Sequence, residues 1–216
     1  QYNARVLGKF KIEGLTSTNP IAVCDQVVIG SDTESRDNES EISFTITEIK
    51  KRKNYITRTS PANKHQHHII ASNLDQSLLF ATLKDPKTSQ GFIDRFLITS
   101  EAYHIPSIIV FNKSDLYRKK EEDKFAAVKD IYEAIGYKVL SMSIEKGDGV
   151  EAVKSLLKDK VTLLSGHSGV GKSTFINAVF PELKLKTQDV SGWSGKGLHT
   201  TTFAEMFDLP GGGKII

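Results

Sequence analysis

Gly166-His167-Ser168-Gly169-Val170-Gly171-Lys172-Ser173 is the stretch that decides the fold of this chain. It matches the phosphate-loop pattern G-x-x-x-x-G-K-[ST], whose glycines let successive backbone N–H groups turn toward a phosphate. In that pattern Lys172 supplies a point charge to the β- and γ-phosphates, and the Ser173 hydroxyl is a Mg²⁺ ligand. The helix that begins there, with Thr174 in its first turn, presents its positive end to the anion. The apolar run Val161–Leu164 directly before the loop predicts the strand that such a loop requires, whereas a glycine loop in an unrelated turn would need no such strand.

A second polar loop, Asn112-Lys113-Ser114-Asp115, follows the apolar run Ser107–Phe111. It matches N-K-x-D, the guanine-reading pattern of GTPases. The Asp115 carboxylate can accept hydrogen bonds from guanine N1–H and N2–H₂, and adenine lacks that pair of donors. Lys113 can lie over the base, and Asn112 can tie this loop to the phosphate loop. Four residues alone also occur in surface loops, but the position at the carboxyl end of a buried strand favours a ligand site.

A third loop begins at Ser143-Ile144 and resembles the S-A-K loop that backs a guanine with a main-chain N–H, although an ordinary glycine turn would read the same. The order of the three loops is informative. In Ras-like GTPases the phosphate loop comes first, whereas here it follows both of the others. The same sheet can be built in either order if the chain is cut and rejoined elsewhere. The order therefore predicts a circular permutation.

The chain changes character near residue 60. Residues 1–60 alternate apolar and polar side chains in about four short runs, which predicts a small all-β module. Residues 61–68 read as a linker, and residues 69–216 alternate strands with helices, as in a doubly wound α/β domain. One predicted helix carries an apolar stripe and ends at Gly136; the stripe consists of Phe125, Val128, Ile131, Tyr132 and Ile135.

Composition limits the possible partners and compartments. The 216 residues include 29 Lys and Arg and 26 Asp and Glu, a net charge of +3, so any contact with nucleic acid must come from a local patch. The run Lys50–Lys53 is either such a phosphate-contacting patch or a charged surface turn. Cys24 is the only cysteine, which excludes an internal disulfide and a four-cysteine zinc site and favours a reducing compartment. His65–His68 suggests either a metal ligand set or a solvated linker or partner contact, and the second interpretation is favoured. No apolar run approaches the roughly 18–20 residues of a membrane span, so we expect no membrane partner.

With these motifs in this order, the chain resembles the circularly permuted ribosome small-subunit-dependent GTPase A (RsgA, or YjeQ) family, over nearly its whole length. The departures from the family pattern are Cys24, where Gly is expected, and Leu198, where Arg usually precedes the histidine. The resemblance is carried by Asn19–Val23, Asp25–Val27, Ala71–Gln76, Phe92–Leu97 and Gly197–Thr202.

The resemblance implies an N-terminal all-β OB-fold, then an α/β P-loop GTPase domain in circularly permuted order. A C-terminal zinc domain, absent from this chain, should follow, so Zn²⁺ is expected only there. It implies GTP hydrolysis to GDP, with Mg²⁺, stimulated by the small ribosomal subunit during its late maturation. The partners would be that subunit and its rRNA, and the protein would be a cytoplasmic monomer. An OB-fold has five strands, so a first strand would precede residue 1.

The resemblance also assigns roles in the first switch, which we expect over Ser191–Gly197 and the residues that follow. Thr201, rather than Thr200, would reach the Mg²⁺ and the γ-phosphate, although these threonines would also suit the start of a strand. His199 would orient or deprotonate the attacking water, in place of the Gln that Ras uses. A switch residue without a catalytic role is the alternative for His199.

Asp208-Leu209-Pro210-Gly211 matches the D-x-x-G pattern of the second switch, but we interpret it as a decoy. The β-like runs on either side make residues 210–213 a hairpin turn. The functional D-x-x-G would then begin soon after Ile216. If that interpretation is wrong, Asp208 is the residue on the Mg²⁺ side.

Three other functions remain compatible with these motifs. The chain could be a nucleotide-gated RNA-binding module with negligible catalysis, which multiple-turnover hydrolysis would distinguish. It could be an ATP-using phosphate-loop enzyme, which Asp115 argues against. It could belong to another permuted GTPase family, although the N-terminal β-module favours the RsgA family.

Overall fold

The computed structural model describes residues 4–6, 19–32, 43–59, 67–185 and 204–216. Contacts within the chain divide it into two compact units, Gln1–Asn73 and Leu74–Ile216. The C-terminal unit begins at Leu74. The sequence pattern placed the start of the α/β domain five residues earlier, at residue 69.

The N-terminal unit is built from five described strands: four lie within residues 1–60, as the sequence pattern indicated, and the fifth lies beyond them. Three of them form a sheet in the order β1-β3-β2, in which β1 is parallel and β2 antiparallel to β3. The other two, β4 and β5, pair antiparallel with each other. Their bounds are β1 (Ala4–Val6), β2 (Val27–Asp32), β3 (Ser43–Ile49), β4 (Tyr55–Thr59) and β5 (His67–Ser72).

Strand β5 corrects the predicted linker. The sequence analysis placed His67 and His68 in a solvated linker leading into the first strand of the GTPase domain, but both lie in β5. That strand belongs to the N-terminal unit because it pairs with β4, and Val23 forms a further bridge to Ala71. The local sequence pattern does not show with which neighbouring strand β5 pairs.

Asp25 is the polar centre of the N-terminal unit, with a side chain only 1% exposed. Its two carboxylate oxygens accept hydrogen bonds from Arg52 Nε and Nη2 at 2.7 and 2.6 Å, from Ser72 Oγ at 2.6 Å and from the Ala22 N–H at 2.8 Å. Burial alone would raise the pKa of Asp25, but these hydrogen bonds outweigh burial and hold it below its ordinary value. Arg52 is therefore engaged inside the unit, although its neighbours Lys50 and Lys51 are exposed.

Replacing Asp25 with Ala should destabilise the protein by about 3 kcal/mol, because Arg52 would keep a partly buried charge without its partner. The folded-state pKa of Asp25 is depressed, so its stabilising contribution is present above the unfolded-state pKa and is lost as pH falls below about 4. Urea unfolding at pH 7 and pH 3 measures both effects. Lys51→Ala, which removes an exposed charge next to Arg52, is the control. Its free energy of unfolding should stay within about 0.5 kcal/mol of the wild-type value. An Asp25→Ala variant as stable as that control at pH 7 would contradict the assignment.

The C-terminal unit is an α/β domain around a six-stranded sheet in the order β10-β11-β9-β6-β7-β8. Only β10 runs antiparallel to its neighbour; the other strands are parallel, so their carboxyl ends lie at one edge of the sheet. The elements are β6 (Gln76–Ala81), α1 (Gln90–Ala102), β7 (Ser107–Phe111), α2 (Lys119–Ala134), β8 (Lys138–Ser141), α3 (Val150–Ser155), β9 (Val161–Ser165), α4 (Lys172–Val179), β10 (Phe207–Asp208) and β11 (Lys214–Ile215).

The sheet is covered on both faces, as continuous apolar strands require. Every residue of β6, the central strand, is buried. One core cluster packs α3 and α4 on one face, and a second packs α1 and α2 on the other. None of the helices in the described ranges is both long enough and apolar enough to cross a lipid bilayer.

The apolar stripe predicted for α2 is only partly buried. Val128 and Tyr132 contact the core, whereas Ile131 and Ile135 are 52% and 64% exposed. The helix packs against the end of the sheet where β8, among the described strands, pairs with β7 alone. Only a narrow face of α2 is therefore covered. The prediction that the helix ends at Gly136 is confirmed, since this glycine has φ +93° just after the last helical turn.

The glycine-rich segment between β10 and β11 is the predicted hairpin turn. Strand β11 pairs Lys214 with Val161, at the start of β9, and Asp208 pairs with Lys214. Asp208 is therefore level with the amino end of β9, about 13 Å along the strand from Ser165, where the phosphate loop begins. Its exposed side chain forms an ion pair with Lys214. This position removes Asp208 as a Mg²⁺-side residue.

Candidate nucleotide-binding site

A cleft of about 410 Å³ opens at the carboxyl edge of the sheet. Residues from three loops line it: the loop after β7, the loop after β8 and the loop after β9. The lining residues are Asn112, Lys113, Asp115, Leu116, Ile144, Glu145, Ser168, Gly169, Gly171, Lys172, Ser173 and Thr174. Parallel strands deliver their carboxyl ends to one edge, which is where ligands bind in open α/β sheets.

The phosphate loop connects β9 to α4, and two of its glycines are required by close approaches. Gly166 has φ +136°, and a Cβ there would lie 2.3 Å from the carbonyl oxygen of Phe80. Gly171 has φ +97°, and a Cβ there would lie 2.3 Å from Asn112 Nδ2. Any side chain would push the loop away from β6 and from the loop after β7.

Lys172 is held beneath the loop by its own backbone. The residue is 5% exposed, and its ammonium donates to the carbonyl oxygens of Gly166 at 2.7 Å and His167 at 2.8 Å. Burial lowers the pKa of Lys172 to about 8, because desolvation penalises the charged form. Among the described residues no carboxylate forms an ion pair with this ammonium, and an anion in the cleft would supply that opposite charge.

Asn112 joins the phosphate loop to the loop after β7, as the sequence analysis expected. Its Nδ2 donates to the Val170 carbonyl oxygen at 2.8 Å, and the residue is 1% exposed. Its Oδ1 is buried and accepts no hydrogen bond from any described residue. Val170 is buried and does not line the cleft.

Asp115 lies in a 3-10 turn, Ser114–Leu116, and is oriented by the loop after β8. The buried Ser143 hydroxyl donates to Asp115 Oδ1 at 2.6 Å and accepts the Lys146 N–H at 3.1 Å. Ser143 therefore supports the carboxylate rather than lining the cleft itself. Ile144 does line it.

Lys113 and Ser114 fix the backbone beside this carboxylate. Lys113 has φ +63°, and its ammonium donates to the carbonyl oxygen of Asp85. The Ser114 N–H donates to the carbonyl oxygen of Met142 at 3.1 Å. Lys113 is thereby anchored at its far end, with its stem along the cleft wall.

His167 is placed against α1, and sequence reasoning missed this contact. Its ring stacks on Phe92, with centroids 3.8 Å apart and ring planes at 30°. The two residues are 75 positions apart, so no local pattern links them. Leu116 and Glu145 were also missed; both line the cleft next to predicted motifs, and extending each motif by one residue would have included them.

Ser173 and Thr174 lie in the first turn of α4 and line the cleft. Ser173 is 6% exposed, and its hydroxyl is the kind of hard oxygen ligand that Mg²⁺ takes. The described part of the chain holds no group of three or more His, Cys, Asp or Glu side chains that could bind a metal ion. A Mg²⁺ ion at Ser173 would therefore share its coordination with ligand phosphates and water, as this ion commonly does. His199, Thr200 and Thr201 lie outside the described residues.

The affinity of the cleft for phosphates should depend on pH through Lys172. Its pKa is about 8 in the free protein, and a bound polyphosphate would raise it. Affinity is then greatest below pH 8 and falls above it, by up to about tenfold per pH unit. GDP titrations from pH 7 to pH 9 measure this slope. The slope should vanish in Lys172→Ala, and a wild-type affinity that does not change with pH would contradict the prediction.

Comparison with known proteins now identifies relatives of this fold and site. The model of the RsgA GTPase family matches residues 49–216. A "Small ribosomal subunit biogenesis GTPase RsgA" from Flavobacterium psychrophilum is 51% identical over 212 residues, which cover 98% of this chain and 64% of that protein. The protein of the same name from Bacteroides fragilis is 48% identical, with 98% and 66% covered. The chain thus spans slightly less than two thirds of the length of these two relatives.

Two solved structures share the fold. YjeQ from Thermotoga maritima superposes with a TM-score of 0.71 at 31% identity, covering 98% of this chain and 64% of its own. YloQ, described as a circularly permuted GTPase, superposes with a TM-score of 0.57 at 30% identity, covering 84% and 56%. The permuted order of the three loops in this chain agrees with that description.

Proposed function

This chain belongs to the RsgA GTPase family, and we propose that the protein binds GTP in the cleft, hydrolyses it to GDP and phosphate, and assists late maturation of the small ribosomal subunit. Its relatives carry names that describe small-subunit biogenesis. One observation carries the proposal: Asp115, the guanine-reading carboxylate, and Lys172, the phosphate-binding cation, line the same cleft.

The described residues divide the binding of GTP between them. The Asp115 carboxylate, held by Ser143, accepts hydrogen bonds from guanine N1–H and N2–H₂. Lys113, anchored at its ammonium, covers the base. The backbone of the phosphate loop and the Lys172 ammonium would receive the phosphates, and the Ser173 hydroxyl would hold Mg²⁺. When bound, the Mg²⁺ ion neutralises charge on the phosphates. An ATP-using enzyme is disfavoured because adenine would leave the fixed carboxylate unpaired.

The N-terminal unit is the proposed rRNA-binding part. Its five strands support an OB-fold, which commonly binds oligonucleotides. Lys50 and Lys51 are exposed beside the internally engaged Arg52 and would contact phosphates. We further propose that the protein works as a cytoplasmic monomer. A zinc domain, expected from the family resemblance, and a functional D-x-x-G soon after Ile216, expected from the hairpin at residues 210–213, remain predictions.

GTP hydrolysis during a titration with purified small ribosomal subunits tests the proposal. We expect slow hydrolysis by the protein alone and a saturable stimulation by small subunits, with no stimulation by large subunits. Tight GTP binding without stimulated multiple turnover would instead support a nucleotide-gated RNA-binding module. Equal competition by ATP and GTP would overturn the guanine assignment.

His199 is the proposed catalytic residue, on family resemblance. Its replacement by Ala should lower turnover about 100-fold, the usual scale for a general acid–base group, while leaving GTP affinity unchanged. Single-turnover hydrolysis and equilibrium binding separate the two effects. A variant that hydrolyses GTP at the wild-type rate would remove His199 from the mechanism.

A further inference from the structure

Phe92 is placed so that it can control the first half of the phosphate loop. It lies in the first turn of α1, is 7% exposed and packs in the core cluster between this helix and the sheet. Its ring stacks on the His167 side chain, with centroids 3.8 Å apart. A ring fixed by the core thus offers a flat surface to a loop residue that is not among those lining the cleft.

The backbone of His167 connects this stack to the binding machinery. Its carbonyl oxygen accepts the Lys172 ammonium at 2.8 Å, next to the Gly166 carbonyl oxygen at 2.7 Å. The His167 Cα joins this carbonyl group to the stacked ring, so a loop whose His167 side chain is not held is free to change its φ and ψ angles there and displace one of these two acceptors. We propose that Phe92 is a positioning residue for nucleotide binding, which acts through His167 on the conformation of the phosphate loop and of Lys172.

The second half of the loop is held by other contacts. Asn112 donates to Val170, and Pro86 lies where a Cβ on Gly169 would meet it at 3.5 Å. Phe92, in α1, and Asn112, in the loop after β7, therefore restrain the two halves of the loop from two separate elements. Each restraint should contribute to affinity by reducing the conformational freedom that the loop loses on binding.

The electrostatic surroundings of His167 favour its uncharged form, which suits stacking on Phe92. Burial lowers the pKa of His167, and the positive charges of Lys172 and Arg95 lower it further. Both effects favour the neutral imidazole, which packs on the Phe92 ring as an aromatic group without a charge to desolvate. This contact also gives a structural role to Phe92 within the Phe92–Leu97 motif that the family resemblance singled out.

The test measures GDP affinity and dissociation rate in full-length variants. Phe92→Leu keeps an apolar side chain but removes the ring, and it should weaken GDP binding about three- to tenfold, the usual strength of an aromatic pair. His167→Ala should weaken binding similarly, and the double variant should be no weaker than either single one. His167→Phe keeps a ring on Phe92 and should lose less GDP affinity than His167→Ala.

Ile93→Val is the matched control, since Ile93 is 1% exposed in the same helical turn and the same core cluster. It should lower the melting temperature of the free protein without changing GDP affinity. If Phe92→Leu behaves like this control, or if the effects of Phe92→Leu and His167→Ala add, the positioning role is wrong. The inference rests on the proposed nucleotide binding; a wild-type protein that binds no GDP would overturn both, whereas wild-type binding with unaffected variants would overturn this inference alone.

Discussion

Replacing Lys172 with Ala should weaken GTP and GDP binding by about 100- to 1,000-fold, the scale found when one preorganised donor to a charged group is removed. The ammonium is buried beneath the loop and directed by two backbone carbonyl oxygens. It is therefore already in place when the phosphates arrive, and no other described lysine or arginine lines the phosphate end of the cleft. Isothermal titration of both nucleotides measures the loss.

Two comparisons make this prediction specific to phosphate. Guanosine, which lacks phosphates, should bind the wild type and Lys172→Ala equally. Lys160→Ala removes the same charge at the opposite end of β9, where the Lys160 ammonium contacts Gln76, and it should bind GDP as the wild type does. Equal losses for guanosine and GDP would show that the substitution had disturbed the fold rather than the phosphate contact.

The candidate site was largely predictable because its motifs are local. The phosphate loop and the Asn112–Asp115 loop each need a few residue types at fixed spacing after an apolar strand, and parallel strands bring such loops to one edge. The tie between Asn112 and Val170 follows from this arrangement. The permuted order was also readable, because it concerns only which motif comes first.

The contacts that sequence reasoning missed depend on long-range packing. Strand β5 pairs with β4 rather than with the α/β sheet. The alternation of apolar and polar residues predicts a strand but not which other strand it pairs with. Ile131 and Ile135 share a helical period with buried neighbours but lie beyond the face that the sheet covers. The stack between Phe92 and His167 joins residues far apart in the chain, so only the folded geometry reveals it.

Asp115→Asn should convert the cleft from guanine to xanthine recognition. The wild-type carboxylate presents only acceptors, which match guanine N1–H and N2–H₂. An Asn amide presents one acceptor and one donor group, which match the xanthine N1–H and its C2 carbonyl oxygen. The Ser143 hydroxyl, which donates to Asp115 Oδ1 at 2.6 Å, would hold the amide oxygen in place and direct the new donor toward the base.

We therefore expect GTP affinity to fall about 1,000-fold in Asp115→Asn, the range for a site that loses matched polar contacts, while XTP affinity rises. Competition between GTP and XTP, measured at equilibrium, gives the ratio directly. Asp130→Asn, which makes the same change in charge on the exposed side of α2, should leave that ratio unaltered. If Asp115→Asn keeps the wild-type preference for GTP, then Asp115 does not read the base. The fixed geometry between Ser143 and Asp115 would then serve only to join the two loops.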